Sequence, residues 1–375
     1  MKKLLLIVSV VLLSATLTAC GQTDDTVRLG VIGPLTGQYS MYGLAVENGA
    51  KLAAKEINAA GGVLDKDIDI IAYDSKGDST EGVNAYNRLR DQDEIHALIG
   101  GTFSSVTLAI KGLAVQDNIP ILTPTATNDT VTLDAPNVFR ACYSDSYQGS
   151  TAAIFANTEL NVTNAAVMYN RDDAYSQGLA QAFMDEFDAR GLSYDRFEFG
   201  AQDDDYSALL TNIKDGSYDA VFLPAYVAEV GAILTQADTL GLDLPFIGGD
   251  GWDGIEADYA DVANGFYFAN HYSKTDEASN VQDFVVNYTA EYGEAPNALA
   301  ALAYDAVYAM VEAIENADSL EADDLVTALS NLNFLDGVTG PITFDENGDP
   351  IKSITIIQVV DGVHEVFAKV EAGDE

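Results

Sequence analysis

The stretch that decides the fold is residues 97–128, ALIGGTFSSVTLAIKGLAVQDNIPILTPTATN. Its pattern predicts a buried strand at 97–101, a hydroxyl-rich turn, a helix, and a second buried strand at 120–122 that ends in another hydroxyl-rich turn. Two strands joined through a helix are typical of a parallel sheet, in which both turns lie at the same edge. Ligands bind at that edge in open α/β sheets, and a helix N-terminus there favours an anionic group. The stretch therefore predicts a binding site.

The alternation of strand and helix continues on both sides of this stretch and then starts again, which predicts two α/β lobes of similar size. Two long helical stretches near the end of the chain have no strand between them, so they must pack on lobes that are already formed. Asp361-Gly362 predicts a final hairpin. The predicted strands outside the opening stretch are 27–33, 68–73, 138–141, 165–169, 194–199, 220–223, 245–248, 342–344, 354–360 and 363–370, and the two long helices are 278–292 and 297–315.

The composition limits the class of partner. The chain has 375 residues, of which 48% are hydrophobic, so it is long enough for two domains with sizeable cores. It carries 18 Lys and Arg against 59 Asp and Glu, a formal charge of −41. This charge excludes nucleic acid, because the electrostatic term that dominates such binding has the wrong sign, and it opposes docking on anionic lipid. A zwitterionic or neutral ligand avoids the long-range repulsion that a net anion meets.

The first residues are typical of an export signal and not of a folded domain. An apolar run preceded by two lysines leads to Leu-Thr-Ala-Cys at 17–20, which resembles the lipobox of bacterial lipoproteins. The resemblance implies a signal peptide at 1–19, lipid modification of Cys20, and a polar tether at 20–26. The protein would then be held at the extracytoplasmic face of the cell membrane by its lipid anchor only. The alternative is an ordinary secretory signal cut after Ala19.

Motifs for catalysis, cofactors and metals are missing from the sequence. His96, His271 and His364 are isolated and match no zinc-site spacing. Neither a nucleophile elbow, a dinucleotide fingerprint nor a phosphate-binding loop occurs. The acidic runs at 203–205 and 345–349 lack the spacing and terminal Glu of a calcium-binding EF-hand. We therefore expect no enzyme activity, no cofactor and no metal site.

Polar and aromatic residues instead follow several predicted strands. Gly-Gly-Asp-Gly-Trp at 248–252 is the most informative of these turns. A short carboxylate between glycines allows close approach of a backbone or ligand, and Trp252 beside it could form the wall of a pocket. The alternative is that Asp250 caps the following helical turn and Trp252 belongs to the core. The other such turns are 34–37, 170–175 and 224–226.

Taken together, these motifs resemble a known family over nearly the whole chain that follows the export signal. The chain is similar to substrate-binding proteins of the leucine/isoleucine/valine type, which have the type I periplasmic-binding-protein fold. The resemblance implies two Rossmann-like lobes with parallel central sheets, joined by three crossovers: lobe 1 at 27–143 plus 274–335, and lobe 2 at 144–273 plus 336–375. The motifs that carry it are GPLTG at 33–37, EINAAGG at 56–62, GGTFSS at 100–105, PTATN at 124–128, FRAC at 139–142 with Gln148-Gly149, and GGDGW at 248–252.

The resemblance also implies roles for single residues. The ligand's α-carboxylate would be bound by the side chains of Ser104 and Thr127, and its α-ammonium by Asp250. The remaining implied contacts are backbone groups of Thr102, Phe103, Thr125 and Ala126, and a pocket wall made by Tyr42, Tyr175, Tyr226, Trp252 and Tyr304.

The resulting hypothesis is a monomeric binding lipoprotein that captures a small aliphatic amino acid between two closing lobes and presents it to the membrane permease of an ABC importer. One alternative keeps the fold and changes the ligand to a small carboxylate, amide or other metabolite. Another is a sensor module that reports ligand occupancy to a receptor.

Overall fold

The computed structural model describes residues 26–370, so Cys20 and the predicted signal peptide and tether lie outside the described residues, apart from Thr26. The strands are β1 Thr26–Gly33, β2 Asp67–Asp74, β3 Ala97–Leu98, β4 Ile121–Thr123, β5 Val138–Arg140, β6 Asn164–Asn170, β7 Ser193–Phe199, β8 Ala220–Phe222, β9 Phe246–Gly248, β10 Tyr267–Asn270, β11 Asn333–Phe334, β12 Ile342–Thr343, β13 Ile354–Val360 and β14 Val363–Val370. The α-helices are α1 Ser40–Ala60, α2 Ser79–Asp91, α3 Ser104–Asp117, α4 Asp145–Thr158, α5 Ala174–Arg190, α6 Ser207–Asp215, α7 Val227–Leu240, α8 Glu256–Ala263, α9 Ser279–Tyr292, α10 Ala298–Ala317 and α11 Ala322–Ser330.

The first sheet has five strands in the order β2-β1-β3-β4-β5, all parallel. Its central strands are apolar on both faces: Val27, Leu29 and Val31 of β1 are completely buried. Such strands need a layer of helices on each face, as the sequence pattern predicts. β3 is shorter than predicted because the backbone turns at Gly101, which has a φ of 52° and would bring a Cβ within 2.1 Å of Thr107 Oγ1.

The second sheet has seven strands in the order β14-β13-β10-β9-β8-β6-β7. The strands from β6 to β10 are parallel to their neighbours within that group, whereas β13 runs antiparallel to β10 and to β14. The predicted hairpin at Asp361-Gly362 is confirmed, and both residues have positive φ, as a tight two-residue turn requires. The second sheet is therefore parallel in the middle and antiparallel at one edge.

The long helices of the tail return to the first sheet. α10 packs along α1, with Gly49 so close to Ala300 that an added Cβ would lie 2.1 Å from the Ala300 carbonyl oxygen. α9 contacts α1, and α11 contacts α10. The chain then enters the second sheet through β13. It thus passes between the two sheets three times: after β5, after β10 and after α11.

The expectation of an α/β fold with two parallel central sheets and three crossovers is confirmed. The lobe boundaries given above stay a prediction. Among the helices within residues 26–370, none combines the length and the apolar composition that a membrane span requires.

Candidate functional site

A narrow cavity lies where the carboxyl ends of the two sheets meet. Most of its lining follows a strand directly: Thr102 to Ser104 come after β3, Thr125 after β4, Tyr226 after β8 and Asp250 after β9. The remaining lining comes from helices and one turn. Eight of the predicted site residues line this cavity, together with Gly251 and Leu299: Tyr42, Thr102, Phe103, Ser104, Thr125, Tyr175, Tyr226 and Asp250.

The first half of the cavity is built around the N-terminus of α3. The N-cap residue of α3 is Phe103, which offers no side-chain acceptor, so the first N–H groups of the described helix remain without an intrahelical partner. Ser104 begins the helix, is buried, and accepts a hydrogen bond at Oγ from the Asn128 N–H at 3.2 Å. Its own hydroxyl hydrogen stays available to a ligand. This corner offers neutral donors and the positive end of a helix dipole to an anionic group.

The turn after β4 is bonded to the start of α3 and is itself held in place by Arg140. Arg140 on β5 is fully buried and donates from Nη1 to the carbonyl oxygens of Thr127 (2.5 Å) and Ala126 (3.3 Å). The Thr127 hydroxyl is buried and has no hydrogen-bond partner among the described residues, although Thr127 and Ala126 do not line the cavity itself. The hydroxyl lies near the buried carboxylate of Asp145 and favours the ionised form of that group.

Two predicted backbone donors are already engaged. The Thr102 N–H donates to the Ile32 carbonyl oxygen at 3.0 Å, and its hydroxyl donates to the same oxygen at 3.2 Å. The Ala126 N–H donates to Thr123 Oγ1 at 3.3 Å. The first of these bonds joins the ends of β3 and β1, and the second closes the turn after β4. In this arrangement both N–H groups have protein partners, and their role in ligand binding stays a prediction.

The second half of the cavity is centred on Asp250, which is 7% exposed. Gln148 Nε2 donates to Asp250 Oδ1 at 3.0 Å, and His271 Nε2 lies 3.1 Å from Oδ2. The next residue, Gly251, donates its N–H to the Tyr175 hydroxyl at 3.0 Å. A carboxylate with about four lone-pair sites keeps acceptor capacity after two such contacts. Gln148 and His271 thus hold Asp250 in place, and its carboxylate can still bind a cationic group in the cavity.

Aromatic rings from both lobes close the space between these halves. Phe103 stacks on Tyr226 with 4.4 Å between ring centroids, and Tyr175 stacks on the same ring at 5.1 Å. The Tyr42 hydroxyl, on α1, donates to the Gly251 carbonyl oxygen at 2.7 Å and accepts from the Val227 N–H at 2.7 Å. Since Tyr42 and Phe103 belong to the first lobe and the other groups to the second, the lobes are in contact across the cavity.

Two residues predicted for the pocket wall lie elsewhere. Trp252 is fully buried, donates from Nε1 to the Leu223 carbonyl oxygen at 2.8 Å and stacks on Phe268. It therefore belongs to the core, which is the alternative given for it above. Tyr304 donates its hydroxyl to Glu56 Oε2 at 2.5 Å, because the face of α10 that carries it packs beside α1. Leu299, five residues earlier on the same helix, lines the cavity instead.

Asp145, the first residue of α4, is a buried acidic residue near the site that the sequence pattern does not predict. Its side chain is completely buried, and neither carboxylate oxygen has a hydrogen-bond partner among the described residues. Burial raises the pKa of Asp145 well above its ordinary value, and the charge of Asp250 adds to this shift. The Thr127 hydroxyl opposes the shift because it lies near the carboxylate, although the two groups do not have hydrogen-bond geometry in this structure. The pattern offered only one signal, an acidic residue at a helix start, which is usual for helix capping and dipole reasons alone.

Within residues 26–370, no group of three or more His, Cys, Asp and Glu side chains is arranged to hold a metal ion. The arrangement described above instead places hydroxyl and N–H donors on one side of a cavity and the Asp250 carboxylate on the other. Such a site can bind a molecule that carries both an anionic and a cationic group.

Comparison with known proteins agrees with this geometry. The family model described as periplasmic binding protein matches residues 26–363. The Leu/Ile/Val-binding protein BraC3 of Rhizobium johnstonii is 32% identical over 348 residues, which cover 90% of this chain and 92% of that protein.

Solved structures show the same similarity. The leucine binding protein LivK of Thermotoga maritima has a TM-score of 0.89 at 32% identity, covering 93% of this chain and all of that one. The LivJ protein of Streptococcus pneumoniae, solved with isoleucine, has a TM-score of 0.85 at 30% identity, covering 92% and 99% of the two chains. A solute binding protein of Rhodopseudomonas palustris, solved with 3,4-dihydroxy benzoic acid, has a TM-score of 0.84 at 25% identity, covering 93% and 98%. The chain therefore belongs to the periplasmic binding protein family, as a substrate-binding protein of the branched-chain amino acid ABC-transporter type.

Proposed function

We propose that this protein captures a small aliphatic amino acid in zwitterionic form between its two lobes and delivers it to the permease of an ABC importer. The observation that carries the proposal is the distribution of charge across the cavity. Neutral donors at the start of α3 lie on one side, and Asp250 lies on the other. An α-amino acid presents a carboxylate and an ammonium in the same arrangement.

The carboxylate of the ligand would be held by the Ser104 hydroxyl, the free N–H groups at the start of α3 and the Thr127 hydroxyl. None of these groups carries a formal charge, so the site needs no lysine or arginine. The donors are preorganised, because the Asn128 N–H fixes Ser104 and Arg140 fixes the turn that carries Thr127. Preorganised donors of this kind bind a carboxylate well even in a protein with a formal charge of −41.

The ammonium would be bound by Asp250, which lines the cavity. A buried cation needs a charged or strongly polar partner, since its desolvation is otherwise too costly. Asp145 does not line the cavity, but its buried carboxylate is close enough to Asp250 for the two charges to interact. A cation beside Asp250 would also favour the ionised form of Asp145, because the negative charge of Asp250 contributes to raising the pKa of Asp145.

The aliphatic side chain would pack among Tyr42, Phe103, Tyr175, Tyr226 and Leu299. These rings touch one another across the cavity, so they must separate when a ligand enters and close around it afterwards. A micromolar affinity corresponds to about −8.2 kcal/mol. For a ligand of about nine heavy atoms this is about −0.9 kcal/mol per atom, within the ceiling of about −1.5 for small ligands.

Periplasmic binding proteins act outside the cytoplasm. In addition, we propose that Cys20 anchors this protein by a lipid, that it works as a monomer, and that it releases its ligand unchanged. Mass spectrometry of the mature protein from membranes tests the anchor, since a lipid-modified N-terminal cysteine is expected. An unmodified N-terminus after Ala19 would contradict it.

A thermal-shift screen tests the proposed ligand class, because a ligand that binds only the native state raises the unfolding temperature. We expect leucine, isoleucine and valine to give the largest shifts among amino acids, amides, nucleosides and small carboxylates. Aromatic carboxylates form the informative competing class, given the aromatic cavity wall and the related protein that holds 3,4-dihydroxy benzoic acid. A shift with these and with no amino acid would contradict the proposal.

A further inference from the structure

The carboxylate that faces the cavity is held by a histidine on a connection between the lobes. His271 follows β10 directly and begins the segment at 271–278 that leads back to the first sheet. Its Nε2 lies 3.1 Å from Asp250 Oδ2, and its side chain is completely buried. Its ring stacks at 3.7 Å on Tyr143, which lies in the first connection between the sheets. His271 thus contacts Asp250 without lining the cavity itself.

We infer that His271 is a positioning residue for Asp250, and that a proton on His271 competes with the ligand's ammonium for that carboxylate. The inference rests on the proposed function, because it requires a ligand with an ammonium group. It adds a property that the ligand class alone does not give: amino-acid binding would be coupled to the protonation state of one buried histidine.

The contacts of the two ring nitrogens define the state of His271. An ionised carboxylate only accepts hydrogen bonds, so the ring proton must reside on Nε2 to bond Asp250. Nδ1 is buried and has no hydrogen-bond partner among the described residues. Protonation of Nδ1 would therefore create a buried N–H without an acceptor, which is costly. The neutral ring is favoured, and it orients Asp250 without cancelling its charge.

The charged groups around His271 agree with this state. Burial lowers the pKa of His271; the hydrogen bond and charge of Asp250 oppose that effect, Lys352 lowers the pKa further, and Asp253 raises it. Lys352 is held in place by donating from Nζ to the Ala141 carbonyl oxygen at 3.0 Å and to Thr339 Oγ1 at 2.6 Å. The lowered pKa favours the uncharged ring of His271 at neutral pH.

At acidic pH the same contacts have the opposite effect. A protonated His271 would pair with Asp250 at 3.1 Å and would place a cation directly behind the carboxylate that binds the ammonium. Binding of the amino acid must then displace the proton. By linkage, the ligand lowers the pKa of His271 as much as the proton weakens the ligand. Affinity should thus be greatest above the pKa of His271 and should be lost as the pH falls through it.

Asp145 is the alternative source of such coupling. Its raised pKa means that an arriving ammonium could also displace a proton from this carboxyl group. Variants that cannot titrate distinguish the contribution of His271 from that of Asp145. His271→Gln keeps an N–H donor for Asp250, His271→Leu removes it, and Asp145→Asn removes the second carboxyl group.

The experiment is calorimetric titration of the soluble chain with L-leucine at about pH 7.5 and about pH 5.5, in buffers of different ionisation enthalpy so that released protons are counted. For the wild type we expect a higher Kd at the lower pH. The Kd should rise by up to about tenfold for each pH unit below the pKa of His271, and protons should be released on binding. In His271→Gln the Kd ratio between the two pH values should shrink and the proton count should fall. His271→Leu should bind more weakly than His271→Gln at about pH 7.5, because only the glutamine variant can restore the donor to Asp250.

A second readout uses the wild type alone. The chain has three histidines, so an NMR titration of imidazole signals can follow each of them. Leucine should move the His271 midpoint to lower pH and leave the midpoint of His96 unchanged. This measurement does not depend on whether a His271 variant folds.

The inference is overturned if the His271 midpoint does not move with leucine. It is also overturned if His271→Gln keeps the wild-type pH ratio and proton count while Asp145→Asn loses them. If the wild type binds no amino acid at either pH, the proposed function itself is wrong and the inference falls with it.

Discussion

At the scale of single residues, the site depends on acidic and hydroxyl groups that the protein leaves partly unbound. Asp250 receives one hydrogen bond on Oδ1 and has one polar contact at Oδ2, while the Asp145 carboxylate and the Thr127 hydroxyl have no partner among the described residues. Such groups destabilise a protein unless something else binds them. Asp250 lines the cavity opposite the donors at the start of α3, and this opposition is the residue-level argument for a zwitterionic ligand.

Replacing Asp250 with Ala should weaken amino-acid binding by about 2–5 kcal/mol, because the substitution removes the partner of a buried ammonium. Calorimetric titration with L-leucine measures the change. Asp261→Ala is the matched control, since Asp261 is an exposed acidic residue on the nearby helix α8. Equal affinities of the Asp250 variant and the wild type would remove Asp250 from the ligand site.

Replacing Ser104 with Ala should weaken binding by about 1–3 kcal/mol, because one neutral donor to the ligand carboxylate is lost. The neighbouring Ser105→Ala is the control: it makes the same chemical change in the same helical turn, but Ser105 does not line the cavity. The Kd for L-leucine should rise only in the Ser104 variant. A similar effect of both substitutions would mean that the helix start, and not the hydroxyl, was disturbed.

At the scale of elements, local patterns predicted the strands and turns that carry the first half of the site. β4 and α3 follow from apolar runs and spacing, and Ser104 and Thr125 lie at strand ends as expected. The glycines in the motif at 100–105 shorten β3 to two residues, but they do not move its carboxyl end away from the cavity. Short-range rules were sufficient here because each prediction depended on neighbouring residues only.

Predictions failed where long-range packing decides which way a side chain points. The rotation of α10 against α1 directs Tyr304 to Glu56 and brings Leu299 to the cavity. A carbonyl group of the second lobe, that of Leu223, binds the indole of Trp252 and keeps it in the core. Asp145 was missed for a related reason, because its importance comes from burial, which sequence patterns around a helix start do not reveal.

The contact between α1 and α10 can be tested by a pair of glycine substitutions. Gly49→Ala should lower the free energy of unfolding by about 1–3 kcal/mol, because the new methyl group meets the Ala300 carbonyl oxygen. Gly112→Ala, on the exposed side of α3 with open space around it, should raise the same free energy by about 0.4–1 kcal/mol. Denaturant unfolding measures both. A stabilising Gly49→Ala would contradict the close packing of the two helices.

At the scale of the whole molecule, the binding site exists only when the lobes approach each other. The Tyr42 hydroxyl bonds the Gly251 carbonyl oxygen, and the Asn128 side chain donates from Nδ2 to the Ala174 carbonyl oxygen at 2.9 Å, each across the lobe boundary. The three connections allow such motion as a hinge. A ligand that bonds the donors of the first lobe and the Asp250 carboxylate of the second therefore favours closure. Closure removes water from both charged groups of the ligand.

The most direct measurement compares L-leucine with two analogues that each lack one of its charges. Leucinamide keeps the ammonium without the carboxylate, and 4-methylpentanoate keeps the carboxylate without the ammonium. Calorimetric titration at neutral pH should show binding of L-leucine and a loss of at least about tenfold, or 1.4 kcal/mol, for each analogue. Binding of 4-methylpentanoate as tight as that of leucine would contradict the account, because the acidic half of the cavity would then have no role in recognition.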